Sequence, residues 1–405
     1  MKKNKIVVAA EVFSSNLGDY AIYDSLSKLL LSQNIEAIPL DISFRREFSM
    51  NTGDDSSLQS ARSTWKSLIP KKIKHHRFTQ YMVTRTMWHL VHRKNIITYW
   101  SELIRNCDAV IIGGGQLLTD TSANFHTKIA LITDIANKFN KPVCILGCGV
   151  GSYLDPKAQK NIKKALDYAS FISLRDSDSA NRLKPLMRND ISLNVYPDLA
   201  FALRPTANKT SEEESLKQKK KVCGFNIMPI DAFKIYNPNL KDITSKTYID
   251  FWKRLACEAN KEDMQVHIMT NGSIQDYEQA KSIYKSMLLD DIDVMLTDRP
   301  ISPLDLYDQI SDVDYLITMR MHAGIIGQAY DKSVSTLIWD DKIPGVWKEA
   351  GDKRVAINSD IILSLEPWKE LKIAFEASKN ISSDDLNKRI SISLDKCLKV
   401  IYPKN

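Results

Sequence analysis

No apolar run in this chain of 405 residues approaches the roughly 20 residues that a membrane-spanning helix needs, so the sequence argues against a helical integral membrane protein. The opening Met1-Lys-Lys-Asn-Lys-Ile-Val-Val-Ala-Ala10 has the charged-then-apolar order of a signal peptide. Its apolar part is short, however, passes into Glu11 and offers no cleavage site. It reads as the first strand of a cytoplasmic protein. Cysteine is sparse: Cys107, Cys144, Cys148, Cys223, Cys257 and Cys397 are scattered, with no Cys-x-x-Cys pair, which disfavours a thiolate metal site and a disulfide framework and predicts buried, reduced thiols. Tandem repeats and low-complexity tracts are lacking too. Acidic residues are missing from one long stretch, since none stands between Asp55 and Glu102.

That gap concentrates the formal charge of +7. Arg62, Lys66, Lys71, Lys72, Lys74, Arg77, Arg85, Arg93 and Lys94 are interleaved there with Trp65, Phe78, Tyr81, Trp88, Tyr99 and Trp100. A basic, aromatic stretch suits an anionic membrane surface or nucleic acid. The same residues also suit a helical excursion whose aromatics pack on a core while its lysines stay solvated.

Elsewhere short apolar runs alternate with helical patterns, as in parallel α/β sheets. Strands are expected at 6–10, 37–40, 109–112, 143–146, 171–174 and 193–196, and a first helix from about Asp19 to Ser32 on the recurrence of Ala21, Ile22, Leu26, Leu29 and Leu30. A second series follows at 222–227, 266–269, 294–296, 315–318 and 333–338. Between the two series, the acidic run at 211–214 and the lysines at 217–221 read as an exposed linker. The organisation is therefore an N-terminal Rossmann-like domain over 1–205 with a basic helical excursion near 56–101, a linker at 206–221, a C-terminal Rossmann-like domain over 222–358, and C-terminal helices over 359–405. Two such α/β domains facing across a cleft, with ligands at the carboxyl ends of their strands, make the architecture called GT-B.

The strand ends carry the chemistry. Tyr315-Leu-Ile-Thr-Met-Arg320-Met-His322 delivers an arginine, which can fork onto a phosphate or carboxylate, beside a histidine, which can move a proton near neutral pH. The competing reading is an arginine ion pair and a histidine capping the next helix. Asn16-Leu-Gly18-Asp19 follows the first strand, where Asp19 suits either sugar hydroxyls or helix capping. Gly113-Gly114-Gly115 and Gly147-Cys-Gly149-Val-Gly151 end two further runs and suit either a phosphate cradle or tight turns. Asp176 and Asp178 have a metal-like spacing but stand where a helix starts, so capping competes with metal binding. Arg175, Asp198, Asp341 and Lys342 also end apolar runs, and each is a candidate ligand contact.

In their order these motifs resemble the polysaccharide pyruvyl transferase family. The resemblance runs from about residue 6 to residue 345 through Asn16-Leu-Gly18-Asp19, Ile111-Ile-Gly113-Gly114-Gly115, Gly147-Cys-Gly149-Val-Gly151, Ser173-Leu-Arg175-Asp176, Pro197-Asp198-Leu-Ala200-Phe201, Arg320-Met-His322-Ala323 and Asp341-Lys342. Gln116 stands where a fourth glycine is expected, and the basic excursion lies outside the pattern. The resemblance implies transfer of pyruvate from phosphoenolpyruvate to two hydroxyls of a sugar, giving a ketal and phosphate in cell-surface or exopolysaccharide synthesis. It implies Arg175 and Arg320 as anchors for the donor's two anionic groups and His322 as acid or base. No metal and no cofactor beyond the donor substrate follow from it. The expected partners are phosphoenolpyruvate, a saccharide acceptor that is lipid-linked, nucleotide-linked or polymeric, and an anionic membrane touched peripherally at its inner face, with no nucleic acid. Two alternatives stand beside it: a GT-B glycosyltransferase using a nucleotide sugar, and a sugar-binding or assembly protein without catalysis.

Overall fold

A computed structural model of the chain describes residues 3–48, 93–120, 124–188, 190–205, 220–231, 234 and 240–403. Most of the basic excursion and most of the linker, including Lys71, Lys72 and Lys74, therefore lie outside the described residues. Two compact units are present. The first comprises Met1–Ser14, Ile22–Leu199 and Lys388–Asn405, and the second Ser15–Ala21 and Ala200–Asn387.

The first unit holds a parallel sheet of β1 (Asn4–Ala10), β2 (Ile35–Asp41), β3 (Ala109–Gly113), β4 (Val143–Cys148), β5 (Phe171–Leu174) and β6 (Leu193–Val195), in the order β2-β1-β3-β4-β5-β6. Every residue of β3, β4 and β5 is buried, which explains why their sequences are apolar throughout except for Ser173: a parallel sheet is covered on both faces and has no solvent side to alternate with. Its helices are α1 (Tyr20–Ser32), α2 (Arg93–Arg105), α3 (Phe125–Lys138), α4 (Pro156–Tyr168) and α5 (Ser177–Leu183). Ala21 ends the part of α1 counted with the second unit. The described end of the basic stretch is α2, which buries Ile96, Trp100 and Ile104 and leaves Arg93 and Lys94 exposed. Here, at least, the aromatic-in, basic-out reading describes the molecule.

The second unit's sheet contains β7 (Val222–Asn226), β8 (Gln265–Met269), β9 (Val294–Leu296), β10 (Tyr315–Thr318), β11 (Ser333–Ile338) and β12 (Ala356–Asn358), all parallel, in the order β12-β11-β10-β7-β8-β9. Counted from its own first strand this is the Rossmann order 3-2-1-4-5-6, which reverses direction between β7 and β10. Its helices are α6 (Ser245–Lys261), α7 (Ile274–Leu288), α8 (Pro303–Ser311), α9 (Met321–Ala329), α10 (Lys342–Ala350) and α11 (Pro367–Lys379). An aromatic group of Phe225, Tyr248, Phe251 and Trp252, none exposed, fills the core under β7 and α6.

The last helix, α12 (Ser383–Ile401), starts in the second unit and continues from Lys388 in the first. Ile390, Leu394 and Cys397 on this helix are buried; its Ser393 meets Ser173 within the first unit, and its Ser383 bonds to Asp331 within the second. Strand β12 is the one described strand with no counterpart in the sequence reading, and it is only three residues long.

Candidate functional site

The turn of the second sheet's strand order brings together the ends of β7 and β10, and Asn226 pairs with Thr318 in the register. Ligands of open α/β sheets bind outside the carboxyl ends of strands at such a reversal. The chain leaves β10 through Met319 and Arg320 and enters α9, which places Arg320 at its N-cap and His322 on its first turn.

His322 is 7 % exposed. Its Nδ1 lies 2.8 Å from Asp19 Oδ1, while its Nε2 is buried with no hydrogen-bond partner. Asp19 ends a short 3-10 turn, Leu17–Asp19, that precedes α1, and its Oδ1 also accepts from Asn16 Nδ2 at 3.1 Å. A carboxylate that holds Nδ1–H leaves Nε2 with its lone pair, so the ring is set up to take or return a proton at Nε2. Gly18 makes the close approach possible: a Cβ there would stand 2.7 Å from Asn271 Nδ2 and 2.9 Å from His322 Cβ. The helix-capping alternative for His322 does not describe the structure.

The ion-pair alternative for Arg320 does. Its Nε and Nη2 donate to the two oxygens of Asp276 at 2.9 and 2.6 Å, a fork-to-fork pair in which Asp276 is 1 % and the Arg320 side chain 20 % exposed. Asp276 stands in the first turn of α7, whose N-cap Ser273 accepts from the Asp276 amide. The arginine is therefore held rigidly through one edge, with Nη1 outside the pair. Nearby in the same unit, Trp339 donates from Nε1 to the carbonyl of Met319. Lys342 Nζ sits 5.2 Å over the Trp339 ring and 3.2 Å from Asp340, and Asp341, at the N-cap position of α10, is exposed. Burial pushes the Asp340 carboxyl up, but Lys342 and the hydrogen bonds around it outweigh that and leave it below its usual range.

The first unit's candidates are arranged differently. Arg175 is 1 % exposed; its Nη1 donates to Asp198 at 3.2 Å and its Nε stands 3.5 Å from Asp176. Gly149 is the surface it lies on, since a Cβ there would come within 2.8 Å of three guanidinium atoms. The sequence reading placed Arg175 as an anchor reaching a donor anion. In the structure its guanidinium is enclosed and holds Asp198, which is itself fully buried. Asp176 caps α5, accepting from the Ser179 amide at 2.6 Å and its hydroxyl at 2.9 Å, and Asp178 is exposed in the first turn.

The glycine turns are also occupied from within. The amides of Gly114, Gly147, Gly149 and Gly151 donate to Leu146 O, Ser173 Oγ, Gly115 O and Leu118 O respectively. Gly114 has φ +70 and packs on Ile22, and Gly147 has φ +66 and packs on Leu199, so side chains are excluded at both by backbone and by space. Gly113 closes β3 and Gly115 follows with φ +67. Tight packing by itself requires glycine at 114 and 147.

A family model for polysaccharide pyruvyl transferase matches residues 16–341. The chain belongs to the polysaccharide pyruvyl transferase family. No curated protein sequence matches it significantly. Among solved structures it is similar to the S. aureus MnaA–UDP co-structure, with 15 % identity, a TM-score of 0.53, and coverage of 100 % of this chain and 99 % of that one. It is also similar to UDP-GlcNAc 2-epimerase from Methanocaldococcus jannaschii, with 10 % identity, a TM-score of 0.55, and coverage of 98 % and 99 %. UDP-GlcNAc 2-epimerase from Neisseria meningitidis bound to UDP-GlcNAc gives 14 % identity, a TM-score of 0.51, and coverage of 98 % and 100 %. At these identities the likeness establishes the fold, two α/β domains of GT-B type, along the whole chain.

Within this pyruvyl transferase family member, three polar residues beside the histidine escaped the sequence reading: Asn226, Asn271 and Asp276. Each is at most 1 % exposed. Asn226 ends β7 as the one polar side chain of Val-Cys-Gly-Phe-Asn, and that position at a strand's carboxyl end was the available signal. Asp276 offered none, because an acid in the first turn of a helix is ordinary.

Proposed function

We propose that this protein transfers the pyruvyl group of phosphoenolpyruvate to two hydroxyls of a saccharide. Family membership supports the reaction class. The observation that supports the site is the His322 ring, tied at Nδ1 to Asp19 and unpartnered at a buried Nε2, two positions after Arg320 in the first turn of a helix.

In this reading a proton reaches the donor's methylene carbon, which becomes the ketal methyl and leaves an oxocarbenium-like centre next to the carboxylate. One sugar hydroxyl adds there and loses its proton. The second hydroxyl adds, its proton is removed, and the C–O bond to phosphate breaks, so that ketal and hydrogen phosphate are the products. His322 Nε2 carries the proton to or from the reacting groups. Arg320 and the N-terminus of α9 supply positive potential for the donor's anionic groups. Asn16, Gly18, Asp341 and Lys342 complete the second unit's contribution. The first unit's Gly113, Gly114, Gly115, Gly147, Gly149, Gly151, Arg175 and Asp198 shape its strand ends. The acceptor belongs to cell-surface or exopolysaccharide synthesis, and no metal is required.

The experiment is incubation with phosphoenolpyruvate and a panel of sugar acceptors, reading acceptor mass and released phosphate together, with and without chelator. Matched, chelator-resistant mass gain and phosphate release is expected. Release of nucleotide from a nucleotide sugar, with no use of phosphoenolpyruvate, would replace the proposal with a glycosyltransferase.

A further inference from the structure

Asp19 does not stand alone behind His322. Its partner Asn16 accepts at Oδ1 from Asn271 Nδ2 at 2.9 Å, and Asn271 accepts at Oδ1 from Asn226 Nδ2 at 2.9 Å. Thr318 Oγ1 lies 3.1 Å from Asn226 Oδ1 and 2.9 Å from the Arg320 carbonyl, its single proton serving one at a time, and it accepts from the Arg320 amide at 2.9 Å. Asn226, Asn271 and Thr318 are fully buried. The backbone follows the same path, because the Leu17 amide donates to the Asn271 carbonyl at 3.0 Å.

The direction of this chain is determined from one end. A carboxylate has only acceptors, so Asn16 must turn its NH2 toward Asp19 and its carbonyl oxygen toward Asn271. Asn271 must then present its NH2 to Asn16 and its oxygen to Asn226, and Asn226 must do likewise. Three amide dipoles therefore align head to tail toward Asp19, each strengthening the next, with Asn226 and Asn271 shielded from water and Asn16 half-buried. With its oxygen so supplied, Asp19 meets His322 as an acceptor, which selects Nδ1–H and leaves Nε2 open.

We propose that Asn226 and Asn271 are positioning residues, whose one-way amide relay through Asn16 fixes the orientation of Asp19 and thereby the tautomer and placement of the His322 ring. The kinetic part of this inference rests on the pyruvyl-transfer reading; the tautomer part does not. A displacement of about 1 Å in a reacting group costs on the order of a hundredfold in rate, so a relay that holds the ring is worth such a factor.

The test combines nitrogen-15 NMR of the His322 ring, assigned by its loss in His322→Gln, with turnover of phosphoenolpyruvate. Asn271→Asp keeps the shape but puts acceptors at both ends of the position, and Asn271→Ser shortens it without adding charge. Asn16→Ala, at a half-buried loop position, breaks the last link with the least risk to folding. The parent is expected to show Nδ1 protonated and Nε2 unprotonated in the neutral ring. The variants, judged folded by circular dichroism, should show mixed or reversed protonation and a fall in kcat of about ten- to a hundredfold with little change in KM for phosphoenolpyruvate. Parent-like ring shifts in folded Asn271→Ser and Asn16→Ala would overturn the relay. If the parent uses no phosphoenolpyruvate but the ring shifts change as expected, the relay stands and the assigned reaction falls.

Discussion

Holding one ring nitrogen of His322 leaves the other to act, and this division sets what single substitutions should do. His322→Ala should keep the fold and donor affinity while lowering kcat by about 10²–10⁴-fold, the usual worth of a positioned general acid or base. Steady-state kinetics beside direct donor binding would check it, and near-parent turnover would remove His322 from the chemistry. A second histidine gives a different prediction. His126 is fully buried, with Nδ1 accepting from Asn161 Nδ2 at 2.9 Å. Burial depresses its affinity for protons, and Asp120 and Asp155 only partly offset this. The unfolded chain therefore binds a proton that the fold resists, so stability is full above the ordinary histidine value near 6.5 and declines as pH falls below it. Thermal midpoints across that range should drop less steeply for His126→Gln than for the parent, and equal slopes would refute the assignment. Of the site residues, Arg320 and His322 were legible because a strand end is written locally in sequence. Their partners were not: Asp276 is 44 positions from Arg320 and Asn271 is 255 from Asn16. No local pattern encodes pairings of that span.

Elements were the most readable level. Buried parallel strands such as 143–148 announce themselves as apolar runs, whereas β12, Ala-Ile-Asn, has only two apolar residues, both half-buried, before an exposed asparagine. The glycine turns show the limit of that reading. Their sequence suits a phosphate or a tight turn equally, and the packing of Gly114 on Ile22 and of Gly147 on Leu199 is set by residues far away in sequence. Helix α12 carries the prediction at this scale. Leu394 is 1 % exposed, and Ser393 on the same helix meets Ser173 at 3.2 Å in the first unit's interior. Leu394→Ala should cost about 2–5 kcal/mol in denaturant unfolding, as for other large-to-small changes in a core. A loss within error of zero would mean that the helix end merely rests on the unit.

For the whole molecule, the basic charge is unevenly spread along the sequence. No described helix is long and apolar enough to cross a membrane. The basic aromatic stretch is read from sequence alone over most of its length, and each basic residue near an anionic surface can contribute about 1 kcal/mol. Changing Lys71, Lys72 and Lys74 together to Gln should weaken binding to anionic vesicles, most visibly at low salt, and leave turnover of a short soluble acceptor intact. Vesicle binding that is absent in the parent, or insensitive to the triple change, would leave the stretch an ordinary solvated surface. The pairing of Asp19 with His322 has a consequence of another kind, because 303 positions separate them. At about 5–20 residues per second, Asp19 is synthesised roughly 15–60 s before its histidine. The Ser15–Ala21 segment therefore waits for Asn271 and His322 while the first unit's strands up to β6 are being made, and the Asp19–His322 pair can form only late in synthesis.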